Sequence, residues 1–218
     1  MTGKSALLFG ASGLVGGELL KCLLEADEYD QVTIIVRRNL GVSHPKLQQV
    51  VSDFSDLALH ADIFAVNDVF CCLGTTAKKT PDQNEYKKID VDYPLEIARL
   101  AKTNQVQNYL IVSAMGADKH SRFFYNRLKG LLEDELMKMG LPGLHIFRPS
   151  LLTGARKEFR GGEKAATVLS RIFIFLFVGP LKRYRPISAT AVARGMYAAA
   201  QTNKTGTFIY NSDQINDN

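Results

Sequence analysis

Ser113, Tyr125 and Lys129 have the residue types and spacing of a proton-transfer site. Tyr125 and Lys129 stand four apart in "YNRLK", so on a helix they share one face. A phenol alone, with a pKa of roughly 10, is a poor acid or base near neutrality. A lysine ammonium alongside favours phenolate and brings such a group into a useful range. Ser113 closes the apolar run "NYLIVS", and from the carboxyl end of a strand its hydroxyl can hold a substrate oxygen. The chemistry that uses such a trio is hydride exchange with a nicotinamide, with Tyr125 supplying or removing the proton of a small carbonyl/alcohol substrate. In a chain with eight tyrosines a Tyr-x-x-x-Lys spacing arises readily by chance, so its weight comes from its surroundings.

The first of these surroundings is "LLFGASGLVGGELL", residues 7–20. An apolar run precedes Gly10, and from Leu14 the apolar positions recur at helical spacing through Leu24. The glycines at 10, 13 and 16 therefore sit on a strand-to-helix turn. There they allow a tight turn and a close approach of the backbone to a ligand. The N–H groups and positive dipole end of the following helix make an anion site, whose natural occupant is a dinucleotide pyrophosphate. Gly10, Ser12, Gly13, Leu14, Val15 and Gly16 are the expected contributors, joined by Leu73, Gly74, Thr75 and Pro149 from other strand ends.

The second strand ends "IIVRRN". An acidic residue there would hydrogen-bond the ribose 2′-OH of NAD(H). Arg37 and Arg38 occupy the place instead, and guanidinium groups pair with a 2′-phosphate, which favours NADP(H) over NAD(H) unless both simply face solvent. Asp53 is a candidate acceptor for the adenine amino group, or a cap for the turn before residues 54–61.

Strand-like runs at 5–10, 31–36, 48–52, 68–73, 108–113 and 143–147 alternate with helical patterns at 13–26, 93–103, 121–139 and 188–201. Pro94 fits the first turn of its helix with Asp92 as cap, and Gly140 and Pro142 end the 121–139 helix. Continuous apolar strands separated by helices predict a Rossmann-like, doubly wound parallel sheet covered on both faces. The length of 218 residues and 46% hydrophobic content predict a single domain. Beyond Pro149 the alternation weakens, and 150–185 reads as loop plus one apolar helix, a small C-terminal substrate cap over the carboxyl ends of the strands.

The longest apolar run, "IFIFLFV" at 172–178, is far too short to span a bilayer. With no leader-like start, the expectation is a cytoplasmic protein. Cys22, Cys71 and Cys72 lack metal-site or redox spacing and read as reduced, buried thiols, with no metal expected. The net charge is +5, and residues 156–185 alone hold eight Lys/Arg against Glu158 and Glu163. No nucleic-acid module accompanies this basic stretch. It is either a solvated face or the rim of a pocket that favours an anionic substrate. Residues 168–186 read as part pocket wall and part packing surface, with self-association into a homodimer as one way to cover the apolar run.

Together these motifs resemble the short-chain dehydrogenase/reductase superfamily over about residues 5–150. "LLFGASGLVG", "VRR", "SAMGAD", "FRPSLLTG" and "GPLKRYRPI" are most similar to its atypical, Tat-interacting oxidoreductase group. The resemblance implies Ser113, Tyr125 and Lys129 as the catalytic triad, with Lys129 also holding the nicotinamide ribose. It implies an NADP(H)-dependent reductase or dehydrogenase. Some atypical relatives resemble sensors, which leaves a non-catalytic NADP(H)-binding module as the alternative. A sugar-nucleotide epimerase or dehydratase would need a larger substrate region. Leu73-Gly74-Thr75 stands where the best-known branch carries Asn-Ala-Gly.

Overall fold

The computed structural model describes residues 3–54, 57–154, 184–202 and 204–215, with residues 58–60 placed by their backbone only. Its strands are β1 (Lys4–Phe9), β2 (Tyr29–Val36), β3 (Leu47–Val51), β4 (Asp68–Cys71), β5 (Asn108–Val112), β6 (Gly143–Arg148), the short β7 (Leu152–Thr153) and β8 (Ile187–Ser188), and β9 (Gly206–Asn211). The helices are α1 (Leu14–Glu25), α2 (Gln83–Lys87), α3 (Tyr93–Thr103), α4 (Phe124–Lys138) and α5 (Ala189–Ala200), with a 3-10 stretch at Leu57–Phe64. Seven strands form one sheet in the order β3-β2-β1-β4-β5-β6-β9, every pair parallel. This is the doubly wound, Rossmann-like α/β architecture that the alternation predicts.

The period-2 geometry of a strand divides the core in two. Leu7, Phe9, Val69, Tyr109 and Ile111 face α3 and α4, where they meet Ile97, Leu128, Leu132 and Leu136. Ala6, Leu8, Ile34, Phe70 and Leu110 face α1 and α5, against Val15, Leu19, Leu23, Val192 and Met196. Because both faces are buried, the strands read as unbroken apolar runs rather than alternating ones.

At the amino ends of the strands sits a buried polar knot. Tyr29 Oη donates to Asp68 Oδ2 at 2.6 Å, Asn108 Nδ2 donates to Oδ1 at 2.7 Å, and Lys4 Nζ lies 3.3 Å from Oδ2. It joins β1, β2, β4 and β5 at the end remote from the glycine turn.

Three expectations are revised. Asp92 does not cap a helix beginning near residue 93: its backbone is already helical and its side chain makes no capping bond. The helix starts at Gln83, where Asp82 accepts from Glu85 N at 2.8 Å, and runs through a π-turn at Lys88–Asp92 into α3. The reason is Pro94, which has no N–H to give the carbonyl of residue 90 in the α register. The chain widens to i→i+5 bonding there, and Tyr93 N bonds to Lys88 O. The last strand, β9, lies where no strand was expected, and the pair β7–β8 is new as well. Of the three thiols only Cys71 is buried, Cys22 and Cys72 being half-buried. Residues 155–183, which hold most of the expected cap, the basic stretch and the 172–178 run, lie outside the described residues. Among the described residues no helix is long and apolar enough to cross a membrane.

Candidate functional site

The glycine turn joins β1 to α1, and at Gly10 and Gly16 it depends on a missing side chain. Gly10 has φ +82°, and a Cβ there would lie 2.5 Å from Cys72 O, so the turn packs against the exit of β4. Gly13 caps α1, its N–H donating to Gly10 O at 2.9 Å. A Cβ on Gly16 would lie 2.2 Å from Gly10 O, so only glycine lets the helix close onto the strand end. No side chain caps α1 and no acidic residue stands in its first turn, which leaves its first N–H groups and positive dipole end to an anion.

A cleft of ≈ 840 Å³ opens at the carboxyl ends of β1, β4, β5 and β6. Gly13, Leu14 and Val15 line one side of it; Ser113, Tyr125 and Lys129 line it from β5 and α4. Leu73, Gly74, Thr75 and Pro149 also face the same space. A Cβ on Gly74 would meet only Asp90 Oδ1, at 3.6 Å, so its missing side chain leaves room rather than relieving a clash.

Ser113 extends β5, its N–H donating to Phe147 O at 2.7 Å, and Met115 N donates to Pro149 O at 3.0 Å. These bonds carry the strand pairing beyond Val112 and bring Ser113 and Pro149 to the cleft together. Lys129 is fixed by α4, whose Leu128, Leu132 and Leu136 are buried against the sheet. Gly130 sets the depth of that helix, since a Cβ there would lie 2.1 Å from Lys119 N. Tyr125, one turn earlier, is 40% exposed, and its ring centroid is 6.0 Å from Lys129 Nζ. Tyr86 packs edge-on against Tyr125, the ring centroids 6.5 Å apart.

Three charged residues absent from the sequence expectations complete the site. Asp90, on the π-turn, places Oδ1 2.9 Å from Lys129 Nζ, and its Oδ2 accepts from Thr75 N at 2.8 Å. Burial opposes the charge on Lys129, but the Asp90 carboxylate, together with Tyr125 and Cys71, outweighs it and holds the ammonium above the ordinary lysine range. Glu133 accepts a hydrogen bond from the Ser113 hydroxyl and pairs with Arg148 of β6, whose Nε is 3.1 Å from both carboxylate oxygens. Asp90, Lys129, Ser113 and Glu133 are each at most 3% exposed. Two local signals point to the missed carboxylates: Asp90 stands four before Pro94, and Glu133 stands four after Lys129 on the buried face of α4.

Ser12, Arg37, Arg38 and Asp53 do not line the cleft. Ser12 is exposed on the turn, and Arg37 and Arg38 are exposed just past the end of β2. Asp53 is exposed after β3 and contributes to the charge around Lys88.

These features fit a dinucleotide. The turn is one that Cβ atoms at Gly10 and Gly16 would force open, an uncapped helix start suits a pyrophosphate, and two guanidinium groups stand at the next strand end.

Comparison with known proteins agrees. A family model described as NAD(P)H-binding matches residues 10–140. "Protein HTATIP2" of Rattus norvegicus is 38% identical over 167 residues, covering 75% of this chain and 69% of that protein. "Protein FMP52, mitochondrial" of Meyerozyma guilliermondii is 36% identical over 167 residues, covering 75% of this chain and 71% of that protein. Among solved structures, MoeE5 in complex with UDP-glucose and NAD superposes with a TM-score of 0.70 at 16% identity, over 95% of this chain and 75% of that one. The Bordetella bronchiseptica enzyme WbmH in complex with NAD+ gives 0.70 at 20% identity, over 96% and 75%. At such identities the likeness to these structures is one of fold. On the family model, the sequence relatives and the glycine turn together, the chain belongs to the NAD(P)H-binding family and, within it, to the HTATIP2-like group of atypical short-chain dehydrogenases/reductases.

Proposed function

We propose that the protein is an NADP(H)-dependent oxidoreductase that interconverts a carbonyl and an alcohol, with Tyr125 as the acid/base. One observation carries this reading: the start of α1 and the Ser113, Tyr125 and Lys129 side chains line a single cleft. When bound, a nicotinamide supplies or accepts the hydride at the substrate carbon. In the reductive direction the Tyr125 hydroxyl gives its proton to the substrate oxygen, and in the oxidative direction it takes that proton back. Lys129 keeps a positive charge under the Tyr125 ring and is the group to hold the nicotinamide ribose. Gly10, Gly13 and Gly16 shape the pyrophosphate turn, with the N–H groups of Leu14 and Val15 beside it. Arg37 and Arg38 are the groups for a 2′-phosphate, which supports NADP(H) over NAD(H).

Screening NADPH oxidation against a panel of carbonyl compounds, with Tyr125→Phe alongside, tests the reading. The expected result is turnover that Tyr125→Phe lowers by at least about a hundredfold. Full activity of Tyr125→Phe on the substrate found would overturn the role of the phenol.

A second reading, a non-catalytic NADP(H)-binding module, has one observation in its favour. The Ser113 hydroxyl proton is engaged by Glu133 rather than offered to the cleft. Tight NADPH binding without turnover on any of the panel, unchanged by Tyr125→Phe, is the outcome that supports it.

A further inference from the structure

We propose that Asp90 is a positioning residue: its carboxylate is the buried counter-charge that keeps Lys129 an ammonium beneath Tyr125, while its other oxygen ties down the Leu73–Thr75 turn. The role assigned to Lys129 rests on the reading above, but the ion pair and its consequences do not.

The π-turn at Lys88–Asp92, just before Pro94, carries Asp90, which lines the cleft. There Asp90 is 1% exposed and Lys129 3% exposed. A lysine this buried and left without an opposite charge would shed its proton, because desolvation penalises the charged form. The groups whose charge acts on Lys129 are Asp90, Tyr125 of α4 and Cys71 of β4, and Tyr86 of α2 lines the same cleft. Glu133, one turn further along α4, is turned to Arg148 and Ser113. Among the described residues, therefore, Asp90 is the carboxylate that balances the lysine. Its second contact is to the Thr75 backbone, 2.8 Å away, so one side chain connects the cofactor side of the cleft to its proton-transfer side.

Alone, a lysine would act on the phenol as a bare positive charge. Paired with Asp90 it acts as one end of a dipole, whose field at Tyr125 is smaller and whose charge state does not change across the physiological range.

The test follows the lysine directly, in the whole 218-residue chain, by the 13Cε chemical shift of Lys129 against pH, assigned by its absence in Lys129→Met. In the wild type the signal should show no titration below about pH 10. In Asp90→Asn, whose side-chain oxygen can still accept from Thr75, the titration should move down by at least about one pH unit. Asp90→Glu should return it towards the wild-type position. An unchanged Lys129 titration in Asp90→Asn overturns the proposal.

Stability supplies the second arm, which serves even where Asp90→Asn folds poorly. The double variant Asp90→Asn/Lys129→Met removes both charges, so it should unfold at a higher temperature than Asp90→Asn alone. A double variant no more stable than the single one overturns the proposal. Neither arm needs a substrate, so both give an answer even if the carbonyl screen finds no turnover.

Discussion

Ser113 on the extension of β5 donates a hydrogen bond to Glu133 of α4, and Arg148 of β6 holds the same carboxylate. The serine thus turns its lone pairs towards the cleft. In this arrangement it can accept a hydrogen bond from an alcohol, and it must rotate away from Glu133 to donate one to a carbonyl oxygen. The same chain of contacts fastens α4 to two neighbouring strands, so the orientation of Ser113 and the placement of Lys129 are mechanically linked.

Removing Glu133 should therefore cost stability as well as function. Glu133→Ala leaves the Arg148 guanidinium without its partner, and a loss of about 3 kcal/mol is expected. Urea unfolding measures it. Arg148→Met in the same chain should recover part of the loss, because the orphaned charge goes too. Equal losses in the single and double variants would show that the pair is not the source.

The neighbouring glycines 16 and 17 should respond oppositely to alanine. A Cβ on Gly16 meets the Gly10 carbonyl at 2.2 Å, whereas on Gly17 the nearest atom is Ala11 O at 3.5 Å, an ordinary contact. Gly16→Ala should destabilise by about 1–3 kcal/mol and weaken NADPH binding, since the turn must shift to make room. Gly17→Ala should be neutral or stabilising by up to about 1 kcal/mol, through better helix propensity. Thermal unfolding and NADPH fluorescence titration, run on both, decide the matter.

Arg37 and Arg38 should set the cofactor preference without touching the chemistry. Each charge-assisted contact to a phosphate is worth on the order of 1.5–3 kcal/mol, so Arg37→Ala and Arg38→Ala should each weaken NADP(H) binding about tenfold to a hundredfold. NAD(H) affinity should barely change. Calorimetric titration with both cofactors is the measurement, and equal losses for the two would place the arginines away from the 2′-phosphate.

A pH effect on stability should come from His145 of β6. It is fully buried, stacked on Phe208 and Tyr210 with centroids 5.2 and 5.9 Å away, and Nδ1 lies 3.0 Å from Tyr210 Oη. Burial, aided by the charge of Lys204, lowers its pKa from 6.5 to about 4. The native state therefore resists the proton that the unfolded chain accepts. This contribution is complete above the unfolded value, near pH 6.5, and is lost as pH falls through the folded value, near 4. The full loss corresponds to roughly 3 kcal/mol. Urea unfolding of wild type and His145→Phe between those limits should show a steeper decline in the wild type. Parallel declines would assign the acid sensitivity to other groups.

The sequence by itself determined whatever depends on neighbours along the chain. The glycine spacing, the apolar runs of β1, β2, β4, β5 and β6 and the helical patterns of α1, α3, α4 and α5 are local, and each was legible. Gly10 and Gly16 were legible for the same reason: a strand-to-helix turn this tight has few solutions. Tyr125 and Lys129 share a face wherever a helix forms. β9 was not legible because it is a half-buried edge strand with polar ends and no helix following it among the described residues, so its pattern lacks a strong apolar run. Only the tertiary structure decided the partners of the charged side chains. Asp90 meets Lys129, and Glu133 meets Ser113 and Arg148, because parallel crossovers bring three separate strands and two helices to one end of the sheet. Which face of α4 turns inward there is set by Leu128, Leu132 and Leu136 against the sheet and by the close approach at Gly130. A periodic pattern records that a helix has a buried face. It does not record what lies opposite each residue, because that depends on packing between segments far apart in the chain.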